Sequence, residues 1–201
     1  MMKRINNYIN EKLNLNKGSN IKMYNYCPKT KDDLQKLIEQ LIEERGDDAN
    51  LNDIDVSNIT DMSYLFFKSN FNVDISGWDV SNVTNMYYIF SESKFNKDIK
   101  DWNVSNVTNM RGMFYQSEFN KDISKWNVGK VINMSWMFGK SKFNQNISQW
   151  NVKNVVYMKE MFKDSEFNQD ISKWKVNTDT FMSDMFKNSP LENNTPKWYK
   201  E

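Results

Sequence analysis

Cys27 is the only thiol in the chain, and with no histidine anywhere nothing stands ready to activate it as a nucleophile. A lone cysteine beside Pro28 reads as a small packing residue. Asp74, Asp98, Asp122 and Asp170 recur every 24 residues, with Asn146 replacing the acid once. Carboxylate oxygens are what calcium takes, but a dedicated site needs several of them converging, and this pattern supplies one per repeat. No catalytic, metal-binding or cofactor-binding residue is therefore expected, and the chain reads as a non-enzyme. The 27 basic and 26 acidic residues leave a net charge of +1. That balance gives no field to hold nucleic acid or an acidic membrane, so the expected partner is another protein.

What must position any site is a repeat. Trp78, Trp102, Trp126, Trp150, Trp174 and Trp198 fall at an offset of 24, as do Met62, Met86, Met110, Met134, Met158 and Met182. Phe66, Phe90, Phe114, Phe138, Phe162 and Phe186 keep the same interval. A period of 20–29 residues with fixed apolar columns marks a leucine-rich-repeat type array. Ile75-x-x-Trp78-x-Val80 lies on the L-x-x-L-x-L spacing and predicts a short strand. Val83, Met86, Ile89 and Phe90 predict one face of a helix of about two turns. The expected fold is an α/β solenoid, leucine-rich-repeat-like, with a parallel β-sheet on one side and short helices on the other. Columns of Asn, Ser and Asp, such as Asn72 to Asn168, are expected to satisfy backbone groups from coil to coil.

Ahead of the repeats, Leu34, Leu37, Ile38, Leu41 and Ile42 form one apolar stripe between a capping Thr30 and Gly46. This predicts a helix covering the open end of the array. The expected organisation is a 1–22 arm, a 23–50 helical cap and a 51–201 solenoid whose last coil is degenerate. Within the arm, residues 3–15 have the spacing of a short amphipathic helix, and Met23 is an alternative start. No apolar run suits a signal peptide or a membrane span. That favours the cytoplasm and no membrane insertion.

The residues F-N-x-D-I-S-x-W-x-V-S-N-V-T-N-M, repeated in register from Asp53 to about Trp174, resemble the BspA-like leucine-rich-repeat surface proteins and the related Mycoplasma lipoprotein-type repeats of unknown function. The resemblance implies bacterial origin, a repeat scaffold, binding of host or partner proteins in displayed members, and no enzyme activity. By resemblance the location would be the cell surface or the medium.

Two candidate surfaces follow. The outward positions of the expected sheet run from acidic to basic: Asp55, Asp79, Asp101, Asn103, Lys125, Asn127, Asn151, Lys173 and Lys175. Such a bipolar concave face suits an elongated partner or head-to-tail self-association. On the expected convex side, Tyr64, Phe67, Tyr88, Tyr115 and Trp136 group in one half of the chain. The function expected is a non-catalytic protein-interaction scaffold, with a surface adhesin for host protein or glycan as the alternative.

Overall fold

The computed structural model describes residues 24–200, so the helix expected over 3–15 lies outside the described residues. The helix α1, Lys31–Arg45, forms as its end signals dictate. Thr30 Oγ1 accepts from Asp33 N at 3.1 Å, and Gly46, in the left-handed region at φ 90°, donates its N–H to Ile42 O at 2.7 Å. Leu34, Ile38, Leu41 and Ile42 are buried and join the core of the first repeat. Arg45 forks onto both oxygens of Asp53 at 3.0 Å each and donates to Asn50 O at 2.8 Å, which ties the end of α1 to that repeat.

Beyond α1 the expected architecture is overturned. Among the described residues there is one helix and no strand or sheet, so the parallel-sheet solenoid with short helices does not form. Parallel pairing survives only as single bridges: Asp61 to Asn85, then Asn109, Asn133, Tyr157 and Phe181, with Asn50 to Asp74 and Tyr26 to Ile54 at the start. The repeats are built from successive turns. Tyr64, Tyr88, Gly112, Trp136, Glu160 and Asp184 all have φ near +55° to +60°, and Lys68, Glu92, Gln116, Lys140, Asp164 and Asn188 do the same four residues later. A helix cannot pass through such positions.

The backbone bonds of this stretch go between repeats instead of along it. Met86, Tyr88, Phe90 and Glu92 donate to Asn109, Arg111, Met113 and Tyr115 of the next repeat at 2.7–3.0 Å. The preceding carbonyls, of Asn85, Tyr87, Ile89 and Ser91, accept from Met62, Tyr64, Phe66 and Lys68 at 2.9 Å. Each such peptide group thus accepts from one neighbour and donates to the other. Four columns of aligned dipoles result, opposed by two others in which Thr108 N reaches back to Thr84 O at 2.9 Å and Glu118 N to Ser93 O at 3.3 Å. At each end of the set, one column meets a charge of the right sign. Lys31 Nζ lies 3.4 Å from Ser63 O at the carbonyl end, and Glu192 Oε2 accepts from Asn188 N at 3.1 Å at the N–H end.

Where a strand was expected, Trp78 N turns back to Ile75 O at 3.1 Å and Val83 N to Val80 O at 2.9 Å. Side chains link the repeats on this side. Every Trp of the 24-residue beat donates Nε1 to a carbonyl of the previous repeat, as Trp102 does to Ile75 at 3.2 Å and Trp150 to Ile123 at 3.2 Å. Asn106 Nδ2 reaches Ser81 O at 2.7 Å. The Asn72 column works from repeat to repeat, Asn120 Oδ1 accepting from Asn144 N at 2.9 Å. The Ser and Asp columns work within one repeat: Ser141 Oγ bonds Phe138 O, and Asp122 accepts from Ser124 N.

The apolar columns all turn inward. Phe114, Phe138 and Phe162 stack 5.7–5.8 Å apart, nearly parallel, and each lies about 4.1–4.2 Å from a second column formed by Phe119, Phe143 and Phe167. At the far end Tyr199 packs edge-on against Phe186 at 5.0 Å and closes the column.

Backbone N–H groups hold Asp98, Asp122 and Asp170 below the ordinary 3.8 of a carboxylate. Asp53 is also held low: burial alone would raise it, but the bonds from Arg45 and Asn25 outweigh burial. Carboxylates depressed in the fold stabilise it above their unfolded pKa and lose that effect as pH falls through the folded one. Urea midpoints should therefore drop between about pH 5 and about pH 3. Asn146 already makes the same turn bond, to Ser148 N at 2.9 Å. Combined Asp98→Asn, Asp122→Asn and Asp170→Asn should keep the fold and flatten that pH dependence; an unchanged slope would refute the assignment.

Candidate surface for interaction

The site residues read from the sequence do not share one sheet face, because there is none. Asp79, Asp101, Asn103, Lys125, Asn127, Asn151, Lys173 and Lys175 are exposed and Asp55 is half-buried. Five of these nine have work inside the repeat. Asp55, Asp79, Asn103, Asn127 and Asn151 each accept a bond from the N–H two residues on, such as Ser81 N to Asp79 Oδ1 at 3.1 Å. Their Asp/Asn identity closes a turn.

Tyr64, Phe67, Tyr88, Tyr115 and Trp136 do come together. Phe67 meets Tyr64 edge-on at 5.4 Å, Tyr64 stacks on Tyr88 at 5.7 Å, Tyr88 lies 6.3 Å from Tyr115, and Tyr115 meets Trp136 edge-on at 5.4 Å. Lys163 then covers Trp136 at 5.4 Å. Gly112 makes the run continuous. It occupies the column of Tyr64, Tyr88 and Trp136, and a Cβ there would sit 2.5 Å from the Tyr88 ring. Without that Cβ the ring lies across the backbone and reaches toward Tyr115. Tyr87, which sequence reasoning did not single out, joins the cluster 5.1 Å from Tyr64 and 4.6 Å from Tyr88. At the α1 end, Tyr64 and Phe67 also line a cleft of about 280 Å³ with Gln35, Ile38, Glu39 and Phe71.

A second apolar patch was missed. Ile132, Val156, Tyr157 and Phe181 are exposed, Phe181 by 61 %, and Tyr157 stacks on Phe181 at 5.5 Å. The signal was in the columns. Thr60, Thr84 and Thr108 give way to Ile132 and Val156, while Asp61, Asn85, Asn109 and Asn133 give way to Tyr157 and Phe181.

Cys27 is exposed, and among the described residues no group of three or more Cys, Asp or Glu side chains converges as a metal site would require. No described helix is long and apolar enough to cross a membrane. Neither a curated protein nor a solved structure matches the chain. A family model does, over residues 32–142 and again over 116–200, and its description is a Mycoplasma protein of unknown function, DUF285. With the match spanning most of its length, and twice because the unit repeats, the chain belongs to that Mycoplasma family of unknown function.

Proposed function

We propose that this protein is a non-catalytic scaffold that binds another protein through its aromatic run, which is exposed at Tyr64 and Phe67 and half-buried from Tyr88 to Trp136. The observation that carries the reading is the unbroken contact from Phe67 through Tyr64, Tyr88 and Tyr115 to Trp136. Rings held in place by one another and by a stiff backbone offer large contact area with little entropy left to lose, which is the character of binding hot spots. The cleft beside Tyr64 and Phe67 is sized for one apolar anchor of the partner. The exposed residues from Asp79 to Lys175 add an acidic-to-basic gradient that orients the partner as it approaches.

The test is affinity capture by the purified chain from lysate of its own cells, beside Tyr64→Ser/Tyr88→Ser and Asp79→Lys/Asp101→Lys variants. Capture of one polypeptide by the parent chain, weakened at least about tenfold in the Tyr variant, is expected. Loss only in the Asp variant would move the site to the charged face. Retention of no polypeptide, with binding instead on a glycan array, would favour the adhesin suggested by the resemblance to BspA-like surface proteins.

A further inference from the structure

We infer that the aromatic run takes an acidic segment of its partner, whose carboxylates pair with Arg111 and Lys140 while its apolar side chains lie on the rings. This deepens the scaffold reading and rests on it for the site, but the charge of the partner is a separate claim with its own test.

Four cations lie over rings of the aromatic cluster. Lys68 is 5.1 Å from the centre of Phe67, Arg111 5.8 Å from that of Tyr87, Lys140 5.9 Å from that of Tyr115 and Lys163 5.4 Å from that of Trp136. A cation held over a ring stays at the contact surface and gives up part of its water there. The outer two already have counter-charges: Lys68 pairs with Glu92 at 3.6 Å, and Lys163 with Glu160 at 2.7 Å. Lys159 reaches the same Glu160 at 3.4 Å. The inner two do not. Among the described residues no carboxylate lies within ion-pairing distance of Arg111 or Lys140, and both residues are exposed. Tyr88 joins the rings that carry them, at 4.6 Å from Tyr87 and 6.3 Å from Tyr115.

Two uncompensated positive charges therefore stand at the middle of the run. The whole chain supplies no such surplus, since 27 basic residues meet 26 acidic ones, so the patch selects by contact and not by a long-range field. A carboxylate that pairs with either cation is brought beside an aromatic face, and a segment carrying apolar residues next to its acids gains from both. Arg111 offers a planar fork to a carboxylate, and Lys140 a point charge. A basic segment would set like charges against both. Two cations are few for a nucleic-acid strand, whose affinity grows with the number of phosphates neutralised, and they suit the spaced carboxylates of a polypeptide.

The probe is a dye-labelled dodecapeptide repeating Glu-Tyr-Glu-Leu, titrated with the full chain and followed by fluorescence anisotropy. A Lys-Tyr-Lys-Leu peptide, oligouridylate and a heparin oligosaccharide serve as comparisons. The acidic peptide should bind at least about tenfold more tightly than the basic one. Arg111→Ser restores the residue of the first, fourth and sixth repeats at this position, and Lys140→Gln that of the third, so the fold tolerates both. Together they should weaken the acidic peptide at least about fivefold. Raising salt from about 50 to about 300 mM should weaken the parent chain and leave the double variant nearly unchanged. Equal binding of both peptides, no binding of the acidic one, or tighter binding of oligouridylate or heparin would overturn the proposal. So would a natural partner that is lost in the Tyr64→Ser/Tyr88→Ser variant and kept in the Arg111→Ser/Lys140→Gln variant, a result that leaves the scaffold reading standing.

Discussion

Phe138→Ala should destabilise the fold by about 3–5 kcal/mol. The ring sits 4.1 Å from Phe143, 5.8 Å from Phe114, 5.7 Å from Phe162 and 6.2 Å from Trp150, so its removal takes contact from four aromatic neighbours. Collapse around the void is restricted. Phe114 N and Phe138 N are each bonded to the following repeat at 2.9 Å, which fixes the spacing of the rings on both sides. A cavity that cannot shrink keeps its full cost. Phe186→Ala should cost less, because beyond that ring lie only the terminal Trp198 and Tyr199, both half-buried and with no further repeat to hold them. Urea unfolding followed by circular dichroism checks both. A loss below about 1.5 kcal/mol at Phe138, or a larger loss at Phe186, would show that the phenylalanine columns are not the main support of the stack.

The residues that build the core were legible because the core repeats. Trp, Met, Phe and Val columns spaced by 24 have no use except burial against their equivalents, and nearly all are buried. Helix α1 was legible from Thr30 and Gly46, whose chemistry specifies ends. The backbone between was not. The spacing of Val83, Met86, Ile89 and Phe90 fits a helix face, but successive turns that bury these same positions give the same pattern. What separates the two is the sign of φ at the columns of Tyr64 and Lys68. At those columns only Gly112, Asp164, Asp184 and Asn188 are residue types that favour the left-handed region; Tyr, Trp, Lys, Glu and Gln carry no such mark. Their conformation is imposed by hydrogen bonds to the next repeat, which no local window contains.

The same limit explains the candidate surfaces. The aromatics beside the buried columns could be named from periodicity, and the structure leaves Tyr64 and Phe67 exposed and Tyr88, Tyr115 and Trp136 half-buried. Whether they touch could not be read, because the contact of Tyr88 with Tyr115 runs over a glycine whose role is its missing Cβ. The charge gradient offered a candidate binding face, while most of its Asp and Asn members close turns. Their types follow from local backbone need, and only the change to Lys175 at the end of that column departs from it. The Ile132 to Phe181 patch escaped notice because each residue is ordinary in isolation. It emerges only when a column is followed to the repeat where it changes character.

A substitution series at Gln116 separates the observed backbone from the expected one. Gln116 is exposed, has φ of 53° and donates its N–H to Gly139 O at 2.8 Å, so its side chain contributes little and its backbone a great deal. In a helix, glycine would cost about 0.5–1 kcal/mol relative to alanine and valine somewhat less. In the left-handed region the order inverts. Gln116→Gly relieves the strain of holding a Cβ there, which offsets the greater freedom of glycine in the unfolded chain, and should fall within about 0.5 kcal/mol of the parent. Gln116→Val places a β-branched residue at positive φ and should cost about 1–3 kcal/mol. Gln116→Pro must abandon both the dihedral and the bond to Gly139, for about 3 kcal/mol or more. Urea midpoints ranked parent and Gly above Val, with Pro lowest, would match the stacked-turn backbone. Glycine falling below valine would mean that residues 110–116 form a helix after all.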